Sequence, residues 1–278
     1  MSQFIKHQLY LLVLLFLSGV FADCSKPTER QLASERVEAA RQMIADNRFN
    51  AAKLQLDSVH LLYPRCVEQR KTANHLKDTI MLVEAERTLQ YYDSLLEQLQ
   101  LRADSVMTYF DYDKDERYQT TGNYVNRSLS PKLNNGNFLQ AQVSDAGELV
   151  LRSFYTGEVA INHTGLKISV ADNFTQLRGS NYHFLSDGHH EILTCQGEQA
   201  LQALQLIAAE QSGKITVTLI GDKKNVSYQL SDNAKKALTQ TLQLYYLLSD
   251  IKSLEQAIYK SNQQIQLAQK HLNENQTE

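Results

Sequence analysis

From Val67 to about Phe110 the chain contains neither proline nor glycine, and its apolar positions recur three and four apart: Leu82, Ala85, Leu89, Tyr92, Leu96, Leu99, Ala103, Val106 and Phe110. That spacing holds one narrow stripe on one face of a helix over four heptads, while Arg87, Glu97 and Arg102 fall off it. A second series closes the chain: Leu244, Leu247, Ile251, Leu254, Ile258, Ser261, Ile265, Ala268 and Leu272, with Ser261 as its one polar member. Ser231-Asp232 supplies capping side chains for a helix starting near Asn233. At about 43 residues each, the two helices would run roughly 65 Å. Two matched helices with narrow apolar stripes bury them most simply against each other. With a compact insert between them, the expected arrangement is an antiparallel coiled-coil stalk bearing the insert at its far end. An intermolecular coiled coil is the rival.

The pattern changes over residues 118–231. Apolar residues alternate or come in short runs there, bounded by turn residues. Phe138–Ser144 and Glu148–Tyr155 flank Asp145-Ala146-Gly147, Tyr182–Leu185 and Glu191–Thr194 flank Ser186-Asp187-Gly188, and Lys214–Ile220 and Asn225–Leu230 flank Gly221-Asp222-Lys223-Lys224. Val159–Ile161 and Leu166–Val170 read as further strands, and Arg178-Gly179-Ser180-Asn181 as a turn. One helix interrupts, Glu198–Gln211, with Leu201, Leu204 and Ala208 on its apolar face and Gly213 as its stop. The insert therefore reads as a β-sandwich or barrel-like domain carrying one helix.

Ahead of the first long helix, Thr28–Leu62 reads as two short helices joined at Asp46-Asn47-Arg48. Ala52, Leu56, Val59 and Pro64, with Phe49, resemble the second half of a tetratricopeptide (TPR) repeat. A lone repeat cannot bury its own apolar face, so this TPR-like hairpin must cap something else. The chain starts with Lys6-His7 and the nine-residue apolar run Leu9–Leu17, too short to span a bilayer and suited to a secretory signal. Two processing readings stand side by side. Cleavage after Ala22 would start the mature chain at Asp23, whereas Cys24, directly after the apolar run, would be the acylated residue of a bacterial lipoprotein. The expected organisation is thus α+β: signal peptide 1–23, TPR-like hairpin 24–66, stalk helix 67–117, β-rich insert 118–231 and stalk helix 232–278.

Composition removes several classes. Of 278 residues 42% are apolar and 21% charged, too apolar and balanced for a disordered chain. Three cysteines are too few for a disulfide scaffold, and Cys66 and Cys195 fall in segments expected to lie far apart. A net charge of −3 provides no electrostatic footprint for nucleic acid.

Candidate chemistry is sparse. Asp111, Asp113 and Asp115 alternate like the opening of an EF-hand loop, but Glu116 stands where glycine is needed and Gly122 where a bidentate glutamate is needed. His183, His189, His190 and Glu191 form the densest polar cluster and supply the ligand types zinc prefers. In an alternating strand His189 and Glu191 share a face that His190 opposes, with His183 joining from the preceding strand. Cys195 beside His183 or His190 would make a thiol–imidazole pair. The chain holds no Gly-x-Ser-x-Gly elbow, phosphate-binding loop or Gly-x-Gly-x-x-Gly, so no catalytic residue and no cofactor is expected.

Arg48-Phe49-Asn50-Ala51-Ala52 through Tyr63-Pro64, Tyr155–Val170 with Ile161-Asn162-His163-Thr164, and Lys214–Leu230 carry a resemblance. Together with the export signal and Cys24, they make the chain resemble a group of uncharacterised exported lipoproteins of Bacteroidetes bacteria. The resemblance implies a cell-envelope location, with a lipid anchor in the outer membrane or else a periplasmic or secreted form, and no assigned activity. The expected function is non-enzymatic: a stalk presenting a β domain to a protein or glycan partner. The alternatives are an envelope-polymer enzyme with its site in the β domain around the histidine cluster, and a coiled-coil periplasmic chaperone.

Overall fold

The computed structural model describes residues 27–131, 136–210 and 212–277. The segment 1–23, expected to be a signal peptide, and the acylation candidate Cys24 lie outside the described residues. The chain is mixed α+β and divides into two compact units, one made of the chain up to Glu86 with the segment from Gln263 onward, the other of Arg87–Asn262. Both boundaries fall inside long helices.

In the first unit, α1 (Glu29–Ala45) starts on a capping box in which Thr28 and Gln31 satisfy each other's backbone N–H groups. Asn47 takes a left-handed φ of 60°, which turns the chain into α2 (Phe49–Leu62). Ala33, Val37 and Ala40 of α1 meet Ala52, Leu56 and Val59 of α2. Ala73, Leu76 and Ile80, from the first turns of α3 (Val67–Met107), close the same cluster. The third helix thus buries the face that a lone hairpin leaves open. Lys53 reaches Glu84 at 2.6 Å and Lys77 reaches Asp57 at 2.7 Å. On the late part of α5 (Asp232–Thr277), His271 Nδ1 lies 3.1 Å from Asp78 Oδ1.

The second unit holds two antiparallel sheets. The larger, ordered β1-β2-β3-β4-β8-β7, consists of β1 (Phe110–Asp113), β2 (Asn123–Asn126), β3 (Phe138–Ser144), β4 (Leu149–Gly157), β7 (Ser180–Ser186) and β8 (Gly188–Gln196). The smaller, ordered β10-β9-β5-β6, consists of β5 (His163–Val170), β6 (Asn173–Arg178), β9 (Ile215–Gly221) and β10 (Val226–Gln229). Strict alternation sends Leu139, Ala141 and Val143, Leu149 and Leu151, and Leu193 and Cys195 into one core. Leu166, Ile168, Val217 and Leu219 enter it from the other sheet. At roughly 1.5–3 kcal/mol for each large side chain fully removed from water, this core is the main stabilising term of the unit.

Three elements differ from the expected pattern. The segment Phe110–Asp113, expected within the first stalk helix, is an edge strand, with Asp111 accepting from Arg127 Nε at 2.8 Å and Asp113 exposed. The sheet therefore starts at Phe110, not Tyr118. The segment Asn173–Arg178, not marked as a strand by its pattern, is a strand paired with β5, and Ser180–Asn181, expected in a turn, opens the next strand. Finally, α4 (Glu198–Ala209) buries Ala200, Ala203, Leu204 and Ile207. This face is rotated from the Leu201–Leu204–Ala208 stripe, and two alanines let the backbone sit close to the sheet.

The long helices meet within this unit. Leu99, Ala103 and Val106 of α3, with Phe110, share a buried cluster with Leu244, Leu247 and Leu254 of α5. One turn earlier, Ala237, Leu238 and Leu242 of α5 join the core of the sheets.

Candidate functional site

The four residues singled out as metal ligands are pulled in three directions. On β8, His189 and Glu191 point to the core side of the sheet, and His190 to the other. Glu191 is buried, and its carboxylate is already occupied. Oε1 accepts from the backbone N–H of Ile161 at 2.7 Å and of Asn162 at 3.1 Å. Oε2 accepts from the N–H of His163 at 2.5 Å and from Asn181 Nδ2 at 3.3 Å. Asn162 adopts φ 52°, a left-handed turn that aims three successive N–H groups at one carboxylate. Desolvation pushes the Glu191 pKa up, but the bonds from His163, Ile161, Asn162 and Asn181 outweigh it and hold the group below the usual carboxylate value. The carboxylate thus fastens the start of β5, in one sheet, to β8, in the other.

His183 and His189 come together, Nε2 to Nδ1 at 3.0 Å, with their rings stacked. His190 instead lies 3.1 Å from Thr156 Oγ1 and stacks on Phe184. Among the described residues no group of three or more His, Cys, Asp or Glu side chains is placed to hold a metal ion. Cys195 is buried beneath the sheet and burial pushes its thiol up to about 11, so it stays protonated at neutral pH. It faces away from His190. Both Cys66 and Cys195 are free thiols.

Missed in the sequence, His163 is fully buried with neither ring nitrogen hydrogen-bonded. Desolvation lowers its pKa to about 4 against the opposing pull of Glu191, so the ring is neutral at pH 7.

The other face of the large sheet carries the more suggestive arrangement. Phe138 pairs with Phe154, Phe154 with Ile192, and Ile192 with Tyr182, so four apolar side chains form a row straight across β3, β4, β8 and β7. The Phe138 and Phe154 rings are stacked at 4.3 Å and 4°. Strands lie about 4.8 Å apart, so the row is roughly 15 Å long. Tyr182 is 66% exposed and the other three are half-buried. Polar rows border it: Thr156 and His190, ending on the exposed Phe184, lie on one side, and Gln140, Arg152, Thr194 and Ser180 on the other. The result is an apolar strip, with the two stacked phenylalanine rings standing edge-up, and polar side chains along both margins. The alternation within each strand marks these aromatics as outward. Only the strand order, which brings β4 against β8 while β5 and β6 leave for the second sheet, aligns them.

A cleft of about 480 Å³ elsewhere in this unit is lined by Glu148, Gln196, Glu198, Leu201 and Tyr245 among others, and includes none of the four proposed ligands. No protein-family model matches the chain, and neither does any curated protein or solved structure.

Proposed function

We propose that the protein is an exported lipoprotein of the bacterial cell envelope, anchored through an acylated Cys24, and that it binds glycan on the outer face of its six-stranded sheet. Its two long helices pair beside the sheets as an antiparallel coiled coil through Leu99–Val106 and Leu244–Leu254, and within the other unit the TPR-like hairpin packs on the first turns of α3. The observation that carries the binding assignment is the strip Phe138–Phe154–Ile192–Tyr182. The stacked Phe138 and Phe154 rings stand edge-up on the sheet and, with Ile192 and Tyr182, offer apolar area to the C–H face of a sugar, and the bordering hydroxyl, imidazole and guanidinium groups suit its hydroxyls. A protein partner would use the same strip through aromatic anchors. Titration of the full chain with envelope polysaccharides, followed by calorimetry, separates the two. Saturable heat that falls about tenfold in affinity for Phe154→Ala is the expected result. Absence of glycan binding, or affinity unchanged in that variant, overturns the glycan assignment.

A further inference from the structure

Among the described residues, strand β7 ends the six-stranded sheet and is hydrogen-bonded to β8 on one side only. All seven of its residues are exposed, including Tyr182, Phe184 and Leu185. A row of backbone donors and acceptors along such an edge has one geometric complement, another extended strand. The other sheet edges are blunted. β1 is four residues long with Asp111 and Asp113, β10 is four residues long and preceded by Lys223-Lys224, and β6 has Arg178 and is packed by α4. β7 is long and carries no proline and no lysine, arginine, aspartate or glutamate.

We infer that β7 is a self-pairing edge, and that two copies of the chain join antiparallel across a two-fold axis at His183, making the two six-stranded sheets one. The segment Ser-Asn-Tyr-His-Phe-Leu-Ser is self-complementary in that register. Tyr182 falls opposite the partner's Phe184, giving two aromatic cross-strand pairs on the outer face, and Ser180 falls opposite the partner's Ser186. The ends match in charge as well. Arg178 precedes the strand and Asp187 follows it, so antiparallel pairing places the basic end of each copy beside the acidic end of the other. Paired residues point to the same side of a sheet, so the partner's aromatics extend the strip that ends at Tyr182. The dimer follows from the edge itself and is independent of whether glycan binds.

Sedimentation of the full chain across the micromolar range tests it. The expected result is a monomer–dimer equilibrium that Tyr182→Lys with Phe184→Lys shifts at least tenfold toward monomer. Both sites are exposed, and an unchanged circular dichroism spectrum checks that the fold survives. Asp187→Lys should weaken the dimer, and adding Arg178→Glu should restore it. His183→Cys should form a disulfide-linked dimer under mild oxidation, because that position meets itself on the axis. A chain that stays monomeric, a dimer indifferent to the two lysines, or a dimer in which position 183 does not cross-link overturns the inference.

Discussion

A carboxylate that accepts from three consecutive backbone N–H groups has no neutral substitute that does the same work. Glu191→Gln keeps the shape but removes the charge and turns an amide N–H toward donors. Charge-assisted bonds of this kind contribute about 1.5–3 kcal/mol each, so a loss near 3 kcal/mol is expected, read as a lower urea midpoint at unchanged m. His163 makes a second residue-scale prediction. Its folded pKa of about 4 lies below the ordinary 6.5, so the unfolded chain binds the proton more readily. Stability is therefore complete above pH 6.5 and is lost as the pH falls toward 4. Between pH 7 and pH 5 the expected loss is about 2 kcal/mol. His60, lowered by burial and by Arg70, acts in the same direction, so the diagnostic is a shallower slope in His163→Phe. Glu191, with its pKa lowered, withdraws its contribution only as pH falls below the ordinary carboxylate range. Alternation along β8 was enough to put Glu191 on the face opposite His190. Its partners Ile161–His163 sit some thirty residues upstream in the other sheet, and no local pattern announces that contact.

At the scale of elements, the sequence was most legible where turn chemistry is explicit. The hairpins at Gly147, at Gly188 and at Gly221–Lys224 appear where expected. The β5–β6 hairpin was hidden because Ala171, with φ 47°, takes the left-handed turn position that glycine or asparagine usually marks. The step from β6 to β7 reads as the turn Arg178–Asn181 because one glycine, Gly179, makes it. A Cβ there would collide with the carbonyl oxygen of Thr194, a backbone atom that cannot move aside. Gly179→Ala is expected to cost about 2 kcal/mol, read by thermal unfolding. Both long helices were legible from their heptad spacing. Leu247 is 3% exposed within the shared cluster, and Leu247→Ala should cost about 3 kcal/mol through lost transfer energy and a residual cavity.

For the molecule as a whole, the proposed anchor makes a clean prediction. Mass spectrometry of the protein from envelope fractions should show an acylated Cys24 as its first residue, and Cys24→Ser should release the chain into the soluble fraction. An unmodified Asp23 start rules out the anchor.

The first unit is assembled from both ends of the described chain, with the segment from Gln263 onward rejoining residues that precede Glu86. Synthesis delivers those two parts far apart in time, since all of Arg87–Asn262 emerges between them. A chain interrupted just before Gln263 would have every strand of both sheets yet leave Asp78 without His271. The His271–Asp78 contact is therefore among the last native contacts open to the growing chain, made after both sheets have been synthesised.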